Sequence, residues 1–367
     1  MSGRKIVFFM AVLILMILIS VQSAIAEDIN IVDVYSDIDS TDITIHSGEH
    51  YTDITLKAEL IFKGNVLESK QFHIDEVSSD SDITKIAFWE IPNPKEGFYR
   101  TIMTMSMDGS VLETKYSNFS YGWQAMPGVS IKDIVPDSSG ISIILAPYTT
   151  TTGSKPVLAD IEYMLVDGDT VIYRTTDSRV TVLQATSLSK DWNVLLENNH
   201  DYSTRIKARI SSPKDTVIAQ SEDFTSKDDV RITELYRDET GASATVEGDS
   251  QVPFDGYVVF TVTKDDTIIE EVREKSPVLT NGDDETIEII WARKLAAGIY
   301  GLSVEVTGND GDILDRWDTV IESDYDSSAD ATPEPTPTET PGFGIIPATF
   351  VMVLLYLLSG PMDRRNG

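Results

Sequence analysis

Carboxylate side chains recur at matched positions along the chain, and their chemistry suits a hard metal ion. Three segments about 100 residues apart each carry two acids spaced by four positions: Asp33 and Asp37, Asp133 and Asp137, and Glu234 and Asp238. Calcium takes roughly six to eight oxygen ligands at about 2.4 Å, which carboxylates can supply. The pattern predicts calcium where successive domains meet. Further ligands would come from nearby acids: Asp39, Asp42, Asp228 and Asp229. The alternative is a set of solvated acidic strand ends.

Signatures of catalysis are missing from the sequence. None of the four histidines belongs to a His-Glu-x-x-His motif, and no Gly-x-Ser-x-Gly turn, phosphate-binding glycine loop or dinucleotide fingerprint occurs. A zinc site at His46 and His50 is a weak alternative, because residues four apart are stacked neighbours on a helix but not in extended chain. Carboxylate pairs that could serve a glycosidase are expected by chance in so acidic a chain. We predict that the protein is not an enzyme.

The charge balance and the absence of cysteine narrow the possible partners. The chain has 60 Asp and Glu against 29 Lys and Arg, a formal net charge of -31. Such a field repels nucleic acid and favours cations and basic partners. Without cysteine the chain has no disulfide, thiol nucleophile or thiolate metal site. We predict no nucleic-acid partner and, calcium apart, no cofactor.

The elements that carry the matched acids are repeated three times. Residues 31–37, 131–137 and 232–238 share one alternating pattern. In each unit a tryptophan is followed nine or ten residues later by a tyrosine: Trp89 and Tyr99, Trp192 and Tyr202, and Trp291 and Tyr300. Units of about 100 residues are typical of immunoglobulin-like sandwiches, in which such aromatic residues fill the core.

Each unit has the pattern of β-strands. After each tyrosine, apolar residues alternate with polar ones, as in a strand with one face in a core. Hairpin turns are predicted at matching places: Lys63-Gly64-Asn65, Asp167-Gly168-Asp169 and Lys264-Asp265-Asp266. The sequence predicts an all-β fold of three tandem immunoglobulin-like β-sandwich domains, at residues 27–123, 124–226 and 227–324.

The first 26 residues have the pattern of a secretory signal peptide. Arg4 and Lys5 precede a long apolar stretch, and Ala24 and Ala26 form a small-x-small cleavage site before polar sequence begins. We predict a signal helix that is removed on export. The alternative is an uncleaved N-terminal anchor, and in both cases the repeats are exported.

The C-terminal residues predict a stalk and a membrane segment. Residues 325–341 include a Pro/Thr-rich stretch that favours extended polyproline II chain. Residues 342–367 contain an apolar run at 345–358 and end in a basic group at 364–365. The segment 343–362 just reaches the ~20 residues that a transmembrane helix needs.

The boundary between stalk and apolar segment carries a family resemblance. Pro341-Gly342-Phe343 at this place resembles the archaeal PGF-type C-terminal sorting tail. The resemblance covers about the last 35 residues, from which Pro347 and the interruption at residues 360–363 depart. It implies that an archaeosortase-like enzyme removes the tail and transfers the protein to a membrane lipid. We expect a cell-surface protein anchored to the membrane by its C-terminus.

The repeats carry a looser resemblance. A tryptophan, then glycine and tyrosine, then an alternating strand is similar to the cell-adhesion-related immunoglobulin-like modules of prokaryotic surface proteins. Gly97-Phe98-Tyr99 and Gly298-Ile299-Tyr300 fit this pattern, whereas the second repeat has Asn199-His200-Asp201-Tyr202 without the glycine. Asn118-Phe119-Ser120 is a glycosylation sequon, and the stalk threonines are candidates for O-linked sugar.

These features predict a structural or adhesive protein of the cell envelope that displays three sandwiches on a stalk. Its expected partners are the membrane, the processing enzyme and an envelope protein or glycan. The alternative is a receptor-like ectodomain that binds a solute or peptide in a cleft between the second and third repeats. In that case the loop at residues 149–153 of the second repeat is a candidate binding loop.

Overall fold

The computed structural model describes residues 28–122, 128–148, 156–212 and 215–325. These residues form 21 β-strands and no helix, which confirms the all-β fold. Five predicted features lie outside the described residues: the signal helix with Ala24 and Ala26, the candidate binding loop at residues 149–153, the stalk beyond residue 325, the sorting motif Pro341-Gly342-Phe343 and the membrane segment. Within the described ranges, no helix is long and apolar enough to cross a membrane.

The first repeat has seven strands in two antiparallel sheets. The three-stranded sheet has the order β1-β2-β5, and the four-stranded sheet has the order β4-β3-β6-β7. The strands are β1 (Ile29–Ser36), β2 (Ser40–Ser47), β3 (Tyr51–Phe62), β4 (Asn65–Val77), β5 (Ser81–Phe88), β6 (Gly97–Met107) and β7 (Ser110–Tyr121).

The second repeat has the same arrangement. Its sheets have the orders β8-β9-β12 and β11-β10-β13-β14. The strands are β8 (Val129–Pro136), β9 (Gly140–Pro147), β10 (Val157–Asp167), β11 (Thr170–Val182), β12 (Thr186–Asp191), β13 (Asp201–Ser212) and β14 (Thr216–Thr225).

The third repeat again has three plus four strands. Its sheets have the orders β15-β16-β19 and β18-β17-β20-β21. The strands are β15 (Val230–Arg237), β16 (Gly241–Gly248), β17 (Tyr257–Lys264), β18 (Thr267–Lys275), β19 (Asp284–Ile290), β20 (Gly298–Thr307) and β21 (Ile313–Ser323).

Each pair of sheets encloses one hydrophobic core, which gives three cores in the described part of the chain. The three tryptophans and three tyrosines predicted as core residues are all buried. The Tyr99 hydroxyl donates to the Lys95 carbonyl at 2.7 Å, and the Tyr300 hydroxyl donates to the Ala296 carbonyl at 2.9 Å. These bonds satisfy the polar end of an otherwise buried ring. The aromatic residues therefore fix the same corner in the first and third sandwiches.

The predicted hairpin turns lie between β3 and β4, β10 and β11, and β17 and β18. In the third repeat both turn residues, Asp265 and Asp266, have positive φ values of 48° and 60°. Two-residue turns of this hand match the twist of the flanking strands. Each turn places the start of the following strand at one edge of its sandwich.

Every sandwich has two outward surfaces, which we call the three-strand face and the four-strand face after the sheet that forms each. In the first and third repeats the four-strand face is exposed over much of its area. In the second repeat Met164 and Val166 of β10 point outward from the core yet are fully buried. This face of the second repeat is covered by the first repeat.

Candidate functional site

The first and second repeats share a continuous sheet. The edge strand β5 pairs with β11, so the order is β1-β2-β5-β11-β10-β13-β14. At this corner the Ile86 N–H donates to the Asp169 carbonyl at 2.8 Å. The Lys85 ammonium donates to Asp169 Oδ1 and to Thr170 Oγ1, both at 2.6 Å. The β10–β11 turn is thereby bound to the edge of the first sandwich.

Beyond this corner, the three-strand face of the first repeat meets the four-strand face of the second. Arg205 on β13 is only 1% exposed, and Asp42 on β2 is 3% exposed. The Arg205 Nε donates to Asp42 Oδ1 at 2.7 Å. The other guanidinium nitrogens donate to Ser221 Oγ at 3.2 Å and Asp37 Oδ2 at 3.5 Å. The centre of the junction is a buried ion pair between two repeats.

A second cation extends the network. The Lys207 ammonium lies 2.9 Å from Glu162 Oε2, and 3.8 Å from both Asp42 Oδ2 and Asp33 Oδ2. Asp42 Oδ2 has no hydrogen-bond donor although it is buried. Burial raises the pKa of the Asp42 carboxyl, and the charges of Arg205 and Lys207 oppose that rise. The charges of Arg205 and Lys207 are thus what favours the ionised form of this buried carboxyl.

Arg174 on β11 completes the contact. Its Nη2 donates to Thr84 Oγ1 at 2.6 Å, and its Nε pairs with Glu162 Oε1 at 3.0 Å. Thr84 is in turn hydrogen-bonded to Thr44 across β2 and β5 at 2.9 Å. Buried charges are tolerated only where paired and hydrogen-bonded, so this complementarity fixes how the two repeats pack.

A polar cleft opens beside this network. It has a volume of ≈ 310 Å³ and is lined by residues from both repeats: Asp33, Asp160, Glu162, Thr176, Ser178, Lys207 and Arg209. The receptor hypothesis placed a cleft between the second and third repeats, whereas this cleft lies between the first and second. Three carboxylates and two cations are among its lining residues, so its surface is strongly polar.

The second and third repeats are joined differently, by insertion of a loop. In the third repeat, the Leu295 N–H donates to the Glu239 carbonyl of the same sandwich at 2.8 Å. In the second repeat the matching N–H of Leu196 instead donates to the Gln251 carbonyl of the third repeat at 3.0 Å. The Gln251 N–H donates onward to the Ser138 carbonyl at 2.9 Å. The Gln251 backbone thus lies between Leu196 and Ser138, whose counterparts in the third repeat are hydrogen-bonded to each other directly.

Side chains around Gln251 seal this second junction. Its amide nitrogen donates to the Trp192 carbonyl at 2.6 Å, and the adjacent Val252 is buried in the core of the second repeat. The buried residue Asp228 of the third repeat also contacts the second, because its N–H donates to Asn198 Oδ1 at 3.3 Å. Both junctions between repeats therefore consist of buried, specific contacts.

The predicted metal ligands occupy two structural positions in every repeat. Asp37, Asp137 and Asp238 each accept two backbone N–H groups of the turn that follows the first strand. For Asp238, hydrogen bonds from the Thr240 hydroxyl and from the turn backbone hold the pKa below its usual value. The other position, at Asp33, Asp133 and Glu234, follows a β-bulge in the first strand of each repeat.

No group of three or more metal-binding side chains is assembled in the part of the chain that the structure describes. Asp37 and Asp42 instead face the guanidinium of Arg205. His46 pairs with Asp82 at 2.8 Å and His50 with Glu76 at 3.5 Å, in separate contacts. Calcium binding stays a prediction.

Asn118 lies on β7, on the exposed four-strand face of the first repeat. Its Oδ1 accepts the Arg100 Nε at 2.9 Å. The side chain is therefore within reach of solvent, and its glycosylation stays a prediction.

Sequence reasoning missed the ionic junction, although one signal for it exists. Arg205 and Lys207 occupy outward positions of β13. The matching residues are Ile102 and Thr104 in the first repeat, and Ser303 and Glu305 in the third. The cations are thus specific to the second repeat. In the same repeat the outward residues Met164 and Val166 are apolar, whereas a sheet face in contact with solvent would have polar residues there.

The strand order and the two junctions define a protein built of tandem β-sandwich repeats that pack directly on one another. No family model matches the chain, and no curated protein matches it.

Among solved structures, a tetra-tandem repeat from the extending region of a large adhesion protein matches with 11% identity and a TM-score of 0.24, over 80% of this chain and 73% of that one. Escherichia coli alpha-2-macroglobulin matches with 6% identity and a TM-score of 0.22, over 82% and 22%. The fibronectin(III)-like modules of Clostridium thermocellum CbhA match with 18% identity and a TM-score of 0.19, over 53% and 93%. The fold assignment rests on the strand order itself.

Proposed function

We propose that this chain is a structural or adhesive protein of the cell envelope, exported and anchored to the membrane by its C-terminus. The observation that supports the proposal is the packing of all three sandwiches through buried junctions. Arg205 with Asp42 fixes the first to the second, and Gln251 fixes the second to the third. A unit of this kind holds its outer surfaces at set positions, as a spacer or an adhesive ectodomain must.

The anchoring half of the proposal is supported by the sequence at both ends. The signal pattern before residue 27 and the PGF-type motif after the stalk favour export followed by attachment through an archaeosortase-like enzyme. The expected external partner is an envelope protein or glycan. We propose no enzymatic activity for the repeats.

Surface labelling of intact cells tests this function. We expect a membrane-impermeant biotin reagent to label lysines of the repeats, and mass spectrometry to find an N-terminus at Glu27. Peptides beyond the Pro341-Gly342-Phe343 motif should be missing from the mature protein. Recovery of an unlabelled cytosolic protein that retains residues 1–26 would overturn the proposal.

A receptor-like ectodomain is the second candidate function, and the cleft between the first two repeats favours it. A small polar solute bound between Asp33 of the first repeat and Lys207 and Arg209 of the second would contact both repeats. Binding would raise the melting temperature, because the ligand binds only the folded state. A thermal-shift screen with amino acids and short peptides separates the two functions, since a purely structural protein shows no saturable shift.

A further inference from the structure

The four-strand face of the first repeat is an exposed sheet surface with large apolar side chains. Phe98 is 72% exposed on the inner strand β6, and Tyr116 is 57% exposed on the edge strand β7. Arg100 lies between them, 5.9 Å from the Tyr116 ring. Ile61 and Ile102 flank the arginine on β3 and β6. Exposed apolar surface of this kind marks interaction sites.

The chain itself shows what covers this face in another repeat. In the second repeat the four-strand face is buried by the three-strand face of the first. There the cations Arg174, Arg205 and Lys207 come from the four-strand face, and the carboxylate of Asp42 comes from the three-strand face. The hydroxyl pair of Thr44 and Thr84 lies beneath Arg174. Three-strand face on four-strand face is thus a contact that this sandwich already makes.

The third repeat presents a three-strand face with matching features. Thr245 and Thr286 form the hydroxyl pair at 2.9 Å that corresponds to Thr44 and Thr84, but here the pair is exposed. Next to it, Glu288 supplies an exposed carboxylate, and Ile290 is 84% exposed. An acid on the three-strand face and a cation on the four-strand face repeat the charge arrangement of the internal junction.

We propose that a second copy of this chain binds the four-strand face of the first repeat through the three-strand face of its third repeat. Glu288 of one copy pairs with Arg100 of the other, Ile290 packs against Phe98, and Thr286 lies opposite Ile102. A second copy of the chain would then be the partner in the adhesive role proposed above, and the inference rests on that role. The contact joins two different surfaces. Two copies related by a twofold axis can therefore close a dimer through two equal contacts, whereas copies that all point the same way form an open polymer.

Sedimentation velocity of the full-length chain in mild detergent, over a range of concentrations, tests the contact. We expect concentration-dependent dimers or longer species. Arg100→Glu and Glu288→Arg should each weaken association at least about tenfold, because like charges then face one another. The double variant R100E/E288R should restore it. Ile299→Glu is the matched control, because Ile299 occupies in the third repeat the position of Phe98 in the first, and it should leave association unchanged.

Cross-linking gives the register of the contact, since the chain has no cysteine of its own. Copies with Ile102→Cys, mixed with copies carrying Thr286→Cys, should form a disulfide-linked pair under mild oxidation. A monomer at every concentration, or association that resists R100E and F98E together, would overturn the inference. Surface labelling remains a separate readout, because a monomer can still be exported and anchored.

Discussion

Removal of Arg205 is the sharpest test of the junction between the first two repeats. In Arg205→Met the side chain keeps much of its bulk but leaves Asp42 buried without its closest cation, which lies at 2.7 Å in the native protein. Breaking a buried ion pair from one side costs about 3–5 kcal/mol. We expect the free energy of unfolding to fall by that amount at pH 7, with the loss confined to the junction and the cores intact.

The double variant D42N/R205M provides the control. When both charges are removed together, no uncompensated charge is left, so the cost should fall below about 1–2 kcal/mol. A double-mutant cycle in urea, followed by tryptophan fluorescence and circular dichroism, measures the coupling between the two side chains.

The pH dependence of R205M follows from the same carboxyl group. Burial raises the pKa of Asp42 above the ordinary 3.8, and loss of Arg205 removes a charge that opposed this rise. A group whose pKa is raised on folding binds its proton more tightly in the folded state, so folding gains stability as pH falls. The difference in the free energy of unfolding between the native protein and R205M should therefore become smaller as the pH falls from 7 to 4. A deficit below about 1 kcal/mol at pH 7, or one that widens on acidification, would refute the reasoning.

Four further outcomes are expected. Asp238→Ala should cost about 1–2 kcal/mol above pH 4 and less below it, because the turn donors bind the ionised carboxylate best and so lower the pKa of Asp238. Asp238→Asn should recover part of the loss in denaturant melts. Gln251→Pro should speed hydrogen exchange at the Leu196 amide at least tenfold, whereas Gln251→Ala, which removes only the side-chain bond to Trp192, should change it little. The calcium prediction requires the melting temperature to rise with millimolar Ca²⁺ and fall with chelator, so an unchanged value contradicts it. A sugar on Asn118 should prevent self-association, because this residue lies beside Arg100 in the proposed contact. In a host that glycosylates the protein, Asn118→Gln should restore self-association.

The sequence was sufficient to predict the fold because the repeated residues all serve one sandwich. Trp192 and Tyr202 recur since every core needs them, and period-two alternation shows which side of a strand faces that core. The turn at Asp265-Asp266 was predictable because the strand twist selects a particular turn chemistry.

The candidate site was not predictable in the same way. Arg205 and Asp42 are 163 residues apart, and each stands on the outward side of its strand. Alternation assigns such side chains to solvent, whereas docking of a second sandwich buries them. The matched acids at Asp37, Asp137 and Asp238 suggested a metal because the sequence shows their spacing but not the backbone N–H groups that they accept.

The position of Arg205 and Lys207 also bears on how the protein responds to ionic strength. Surface charges separated by more than about 8–10 Å are screened by dissolved salt at 0.1–0.15 M, so the repulsion among acidic side chains varies with the salinity of the surroundings. The guanidinium of Arg205 is almost inaccessible to dissolved ions, and its attraction for Asp42 is screened far less. We therefore expect the contact between the first two repeats to depend little on salt concentration, whereas the repulsion among the exposed acidic side chains depends on it strongly.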